Sequence, residues 1–172
     1  MKSKLIKAHM ATAKNYSNLS HARRLHVGAI VVKDDRIISI GYNGMPAGWD
    51  NNCEDIVWDP GAGGWLDPDE LTAKYPYEGW NEQAQRNVRY GLKTKPEVLH
   101  AESNAIAKLA KSNESGLDAD LFVTHAPCME CAKLIFQSGI RRVFYGEQYR
   151  DNSGINFLKQ SGIAVTKVDD DE

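Results

Sequence analysis

The sequence predicts an α/β fold of three layers, with helices on both faces of a central, mixed, five-stranded sheet. Three observations carry this expectation. The C-terminal half alternates strand-like and helical runs, and its connections are short enough to require parallel strands crossed by helices. The N-terminal half adds two strand-like runs separated only by Lys33-Asp34-Asp35, which implies an antiparallel hairpin. Finally, a chain of 172 residues, 42% apolar and 26% charged, suits one domain (1–172) with a sizeable core.

Taken in order, residues 2–19 set Leu5, Ile6, His9, Met10 and Ala13 at helical spacing, an amphipathic first helix. Val27–Val32 and Arg36–Tyr42 form the hairpin. The second strand runs out into Gly41-Tyr42-Asn43-Gly44-Met45-Pro46-Ala47-Gly48, where Asn-Gly and Met-Pro mark a tight, exposed turn. Residues 49–98 differ in character. Trp49, Trp58, Trp65 and Trp80 all fall there, among Gly61, Gly63, Gly64, Pro60, Pro68 and Pro76. They read as an irregular Trp/Gly/Pro-rich insertion, too aromatic for simple disorder and long enough to be functional or part of an interface. Residues 81–91 are expected to add a short polar helix. The pattern then turns regular: helix 101–112 with Ala105, Ile106, Leu109 and Ala110 on one face, and strand Leu121–Thr124. Helix Cys128–Ser138, stopped at Gly139, strand Arg142–Tyr145, helix Ile155–Gln160 and strand Ile163–Val168 follow. Asp169–Glu172 reads as a solvated end.

Composition narrows the partners. A formal net charge of −2 leaves no electrostatic footprint for a polynucleotide or an anionic membrane. A compact anionic substrate needs only a few local basic residues and stays open. Three cysteines make no disulfide framework. Residues 1–13 mix Lys2, Lys4, Lys7 and His9 with apolar residues, so they do not read as a signal peptide, and no stretch reaches transmembrane length. A reducing, cytoplasmic setting is the expectation.

Two short motifs carry the chemistry, His100-Ala101-Glu102 and Pro127-Cys128-Met129-Glu130-Cys131. Cys128 and Cys131 lie three apart at a helix start, so both sulfurs can face one side of the first turn. The helix N-terminus favours negative charge there and helps both bind as thiolates. His100 heads the preceding helix. One imidazole and two thiolates make three zinc ligands, and a catalytic zinc site stops at three protein ligands and leaves a place for water. Taken alone, a C-x-x-C is as often a redox pair or half of a structural zinc site. A structural Cys₂His₂ site would need a fourth ligand such as Cys53 or His125, and it leaves Glu102 unexplained. Glu102 has the reach to take a proton from an attacking water and deliver it onward without binding the metal. The combined pattern H-x-E…P-C-x-x-C is the signature of zinc nucleobase deaminases.

The runs His100–Ile106, Pro127–Lys133 and Gly139-Ile140 resemble the zinc-dependent cytidine/deoxycytidylate deaminase superfamily. Val27–Val32 and Gly41–Gly48 resemble its deoxycytidylate (dCMP) deaminase branch. Thr72-Ala73-Lys74-Tyr75-Pro76-Tyr77 resembles a segment that in some members directly precedes the His-Ala-Glu motif, whereas here Glu78–Leu99 intervene.

The resemblance implies a cytidine deaminase-like fold and hydrolysis of dCMP to dUMP, which supplies thymidylate synthesis. It implies one catalytic Zn²⁺ held by His100, Cys128 and Cys131, with Glu102 as the proton carrier. It also implies a homo-hexamer activated by dCTP and inhibited by dTTP, with Mg²⁺ accompanying the triphosphate. The effector region would be Gly44–Asp55, with Gly44, Pro46, Cys53 and Glu54 as candidates. Asn43 resembles the asparagine that holds the sugar hydroxyl, against turn chemistry alone. Arg23 and Arg24 stand where several bacterial members carry an Arg-Arg pair, and one of them is expected at the phosphate, which the planar guanidinium suits. Tyr149 resembles a tyrosine lining the base pocket. Apart from the resemblance, backbone N–H groups near Ala101 and Cys128 are expected to help orient the reacting oxygen. His125 reads as pocket wall or plain surface. Some phage-type members hold a second, structural zinc with cysteines where this chain has Ala22 and Arg23, so no second metal is expected. Two other readings stay open: a deaminase of cytidine or of adenosine in tRNA, and a non-catalytic zinc-binding module. A tRNA substrate would call for a basic face that this composition lacks.

Overall fold

A computed structural model describes residues 1–61, 66–149 and 151–169. Gly63, Gly64, Trp65 and the tail residues Asp170–Glu172 lie outside the described residues. The elements run α1 (Ser3–Ser17), β1 (Gly28–Lys33), β2 (Arg36–Tyr42), β3 (Glu54–Trp58), α2 (Pro68–Lys74), β4 (Tyr77–Asn81) and β5 (Arg86–Thr94). They continue α3 (Ala101–Leu109), β6 (Asp120–His125), α4 (Met129–Gln137), β7 (Arg142–Glu147), α5 (Ser153–Gln160) and β8 (Ala164–Lys167). The main sheet has the order β2-β1-β6-β7-β8. The β1 strand is antiparallel to both β2 and β6, whereas β6, β7 and β8 are parallel. This is the expected mixed five-stranded sheet. No helix among the described residues is long and apolar enough to cross a membrane.

The β1–β2 turn follows from backbone sterics. Asp34 and Asp35 both have positive φ (50° and 57°), the mirror-type two-residue turn whose twist matches a hairpin. Aspartate tolerates that conformation better than branched residues do.

The core has two faces because the central strands are apolar on both. Val31, Leu121, Val123 and Val143 pack with Ala105 of α3, Ile135 of α4 and Leu158 of α5. On the other face Ile30, Phe122 and Phe144 pack with Met10 and Ala13 of α1. The three layers are thus α1, the sheet, and α3 with α4 and α5. Two glycines set how closely the helices approach. A Cβ at Gly28 would lie 2.0 Å from the Ala13 carbonyl oxygen of α1, and one at Gly41 would lie 2.1 Å from the Ala101 carbonyl oxygen of α3. Backbone cannot yield there as a flexible side chain would. Gly41→Ala is therefore expected to cost about 3 kcal/mol and to displace the first turn of α3, measurable as a lowered unfolding midpoint in urea.

Residues 49–98 correct two expectations. The insertion is not irregular: β3, β5 and β4 form a second, antiparallel three-stranded sheet in the order β3-β5-β4. Nor do residues 81–91 form a helix. The Asn81 side chain accepts from the N–H groups of Gln83 and Ala84 at 3.0 and 2.9 Å, Gln85 takes a positive φ of 52°, and the chain reverses into β5. Within β5, Val88, Tyr90 and Leu92 alternate with polar or small residues, a strand period of two. Tyr90 lies between Trp58 and Tyr77 with ring centroids 5.2 and 5.3 Å apart, and such aromatic cross-strand pairs stabilise sheets. The α2 helix begins at a capping box made by Asp67 and Glu70 with Pro68 in the first turn. It passes close over the sheet's other face, where a Cβ at Gly91 would meet the Lys74 carbonyl oxygen at 2.6 Å.

Candidate active site

His100 and Cys128 occupy equivalent places, each the N-cap residue of its helix, α3 and α4, with extended backbone (ψ 152° and 170°). Cys131 lies in the first turn of α4. The α4 start follows the carboxyl end of β6, while the head of α3 is tied to the end of β2 through Gly44 and Leu99. Both β2 and β6 are antiparallel to β1, so the two starts meet at one edge of the sheet, at strand carboxyl ends where open α/β sheets bind ligands. The His100 Nδ1 atom lies 3.6 Å from Cys128 Sγ and 3.4 Å from Cys131 Sγ. All the ligand atoms of this trio fall within 4.8 Å of one another. A tetrahedral zinc with bonds of about 2.0 Å to nitrogen and about 2.3 Å to sulfur separates those ligands by about 3.5 Å. The donor set and its spacing therefore fit zinc, and among the described residues no fourth His, Cys, Asp or Glu joins the trio.

Glu102, one helical step beyond Ala101, is 4% exposed and outside this trio. Burial pushes its carboxyl up to about 7, against the opposing pull of its own backbone N–H and of His100. A carboxylic acid near neutrality can both accept and return a proton. Cys128 is held down at about 3 by hydrogen bonds from Cys131 and His100, while the bond to Cys128 and burial drive Cys131 up. The hydrogen bond to Cys128 raises His100.

His100, Glu102 and Cys128 line a cleft of about 420 Å³. Asn43, Ala101 and Tyr149 all line it. The Asn43 side chain is held from both ends, its Oδ1 accepting from Val27 N–H and its Nδ2 donating to the Leu25 carbonyl, each at 2.8 Å. Ala101 is buried at the head of α3, where first-turn N–H groups lack intrahelical partners. Tyr149 is exposed at the rim. The two arginines separate. Arg24 lines the cleft. Arg23 does not, and its guanidinium instead meets the Glu54 carboxylate, Asn52 and the Glu54 carbonyl.

The four candidates after β2 also divide. Glu54 lines the cleft. Gly44 exchanges two backbone hydrogen bonds with Leu99, tying the post-β2 turn to the residue before His100. Pro46 accepts from the Trp49 N–H in a turn. Cys53 is buried with Ala22, Val98 and Met45, and burial pushes its thiol up. His125 is a wall residue, paired with Glu147 at 3.4 Å, and burial lowers its pKa. Sequence reasoning missed Thr94 and Gln148, which also line the cleft. Thr94 is brought there by a ladder pairing with Glu54 forty residues away, for which no local signal exists.

Three zinc-type ligand residues at two helix heads, a buried carboxyl beside them and a cleft for a small molecule make a candidate metal-dependent catalytic site on an α/β sheet. The comparisons agree. The chain belongs to the cytidine and deoxycytidylate deaminase family, whose zinc-binding region matches residues 3–147. It is 34% identical over 150 residues to the ComE operon protein 2 of Bacillus subtilis, covering 87% of this chain and 63% of that protein's length. It is 35% identical over 156 residues to the deoxycytidylate deaminase of Enterobacteria phage T4, covering 83% of this chain and 78% of the phage protein. The fold superimposes on the dCMP deaminase of cyanophage S-TIM5, solved with dCMP and dUMP, with a TM-score of 0.74 and 37% identity over 98% of this chain and 99% of that one.

Proposed function

We propose that the protein is a zinc-dependent deaminase that hydrolyses dCMP to dUMP and ammonia. The observation that carries this reading is the match, over nearly the whole of both chains, to a dCMP deaminase solved with dCMP and dUMP. His100, Cys128 and Cys131 would hold the zinc, which when bound supplies the Lewis acidity that makes a water nucleophilic near neutral pH.

The chain's own residues do the rest. Glu102 takes a proton from the attacking water and passes it to N3 as the water oxygen bonds to C4 of the cytosine. It then carries the remaining hydroxyl proton to the exocyclic nitrogen. The C4–N4 bond breaks, ammonia leaves and the uracil carbonyl forms. The Ala101 N–H orients the reacting oxygen. Asn43 holds the sugar hydroxyl, its amide already fixed by residues 25 and 27. Tyr149 borders the base. Arg24 meets the phosphate, which its place at the cleft supports, while Arg23 is engaged by Glu54.

We further propose that the enzyme works in the cytoplasm, supplying dUMP for thymidylate synthesis, as a homo-hexamer with dCTP as activator and dTTP as inhibitor acting with Mg²⁺ near Gly44, Pro46, Cys53 and Glu54. It acts on neither a polynucleotide nor a membrane. Ammonia release from dCMP, CMP, cytidine and dCTP, each with and without dCTP as effector, tests the substrate. A preference for dCMP of at least about a hundredfold in kcat/KM is expected. Equal turnover of cytidine would sink the substrate while leaving the zinc chemistry standing.

A further inference from the structure

Arg23 and Arg24 are adjacent and chemically identical, and a single carboxylate separates their roles. Glu54, the first residue of β3, is 1% exposed. Its Oε1 accepts from the backbone N–H of both Arg23 and Arg24, at 2.9 and 3.1 Å, and its Oε2 accepts from Arg23 Nε at 3.4 Å. Arg23 Nη2 is further engaged by Asn52 and the Glu54 carbonyl at 3.1 and 3.2 Å. The Arg24 guanidinium instead donates to Thr94 Oγ1 at 3.3 Å. Thr94 is the ladder partner of Glu54 across the inserted sheet. Glu54, Thr94 and Arg24 all line the cleft, and Arg23 does not. The carboxylate is thus balanced by Arg23, and the positive charge left at this end of the cleft is that of Arg24.

We infer that Glu54 and Thr94, the first rung of the inserted sheet, are positioning residues that set the preference for a substrate bearing a 5′-phosphate over the same nucleoside without one. The inference rests on the reading of Arg24 as the phosphate contact. An arginine side chain loses rotamer freedom when it engages an anion. Fixing its backbone through Glu54 and its head through Thr94 removes part of that loss before the ligand arrives. The rung makes the insertion a specificity arm of the deaminase site.

The sign of the effect separates positioning from charge. Glu54→Met removes both acceptor oxygens, and with them the hold on the Arg23 and Arg24 backbone. It also removes a negative charge beside the cleft and frees Arg23, so a purely electrostatic role predicts a stronger preference for phosphate. Positioning predicts a weaker one.

The test measures kcat and KM for dCMP and deoxycytidine, and calorimetric Kd for dUMP and deoxyuridine, in the zinc-loaded wild type, Glu54→Met, Thr94→Val and Arg24→Ala. Glu54→Met is expected to cut the dCMP-to-deoxycytidine preference about tenfold, or about 1.4 kcal/mol, through KM and with kcat held within about twofold. Thr94→Val is expected to cut it about threefold, as loss of one of the arginine's hydrogen bonds should. The dUMP-to-deoxyuridine affinity ratio should fall in parallel. An unchanged or increased preference in Glu54→Met overturns the inference, as does an equal loss for both substrates. Should Glu54→Met not fold, Thr94→Val decides it, and a wild-type preference there overturns it. If Arg24→Ala loses the preference while both rung variants keep it, positioning fails and the phosphate contact stands. A wild type indifferent to the phosphate overturns both.

Discussion

Glu102→Gln should leave a folded protein that binds one zinc and turns over almost nothing, with kcat lower by about 10³-fold, within the range that a positioned proton carrier supplies. The side chain is 4% exposed and stands outside the His100–Cys128–Cys131 trio. The amide fills the same space but cannot take a proton from water or give one to N3 or to the departing amine. Binding should survive, because in the proposed mechanism the sugar and phosphate fall to Asn43 and Arg24. An amide buried in place of a carboxyl removes a desolvation penalty, so the variant should be at least as heat-stable as the wild type. Steady-state kinetics, zinc content and a thermal melt on one preparation check all three. Unchanged activity would remove Glu102 from the mechanism, and lost zinc would make it a structural contributor to the metal site.

Withdrawing zinc should cost both activity and stability. The three ligand atoms join the heads of α3 and α4, and the unfolded chain has no comparable site. Metal at about a thousand times its Kd stabilises the native state by about 4 kcal/mol. For a domain of this size that corresponds to a melting temperature higher by on the order of 10 °C. Chelation should therefore lower the midpoint by about that much and abolish turnover, with both restored by added zinc. Cys131→Ala, which removes a buried ligand, should mimic the chelated protein and resist rescue. A midpoint that ignores zinc in calorimetry would mean the trio holds no structural metal of consequence.

Much of the candidate site was legible because its geometry is local. His100 and Glu102, two apart at a helix head, and Cys128 and Cys131, three apart at another, have positions set by helix geometry alone. Runs such as Leu121–Val123 are apolar at consecutive positions and so announce a strand covered on both faces. The insertion was harder to read. Its β3 pairs with β5 across some forty residues, and Ile56, Val57 and Trp80 of its strands remain exposed, which blurs the alternation a half-buried strand displays. The misread stretch 81–91 opens with Asn-Glu-Gln-Ala-Gln, good helix composition, yet Asn81 uses its side chain to cap a turn. Long-range pairing overrode local propensity there. Choosing between Arg23 and Arg24 was out of reach for a similar reason. Nothing in their local sequence differs, and the residue that separates them, Glu54, arrives from thirty positions downstream.

The Glu54–Thr94 rung has a consequence for how this chain could have grown. The two residues are ladder partners, so the forty-residue excursion between them leaves and returns at neighbouring points, about 5 Å apart. Loop-closure entropy rises only slowly with length, so such an excursion can lengthen, shorten or be exchanged with little strain on the five-stranded sheet behind it. His100, Glu102, Cys128 and Cys131 all fall outside that excursion, after Thr94 in the chain. The chemistry can stay fixed while the recognition arm is rewritten.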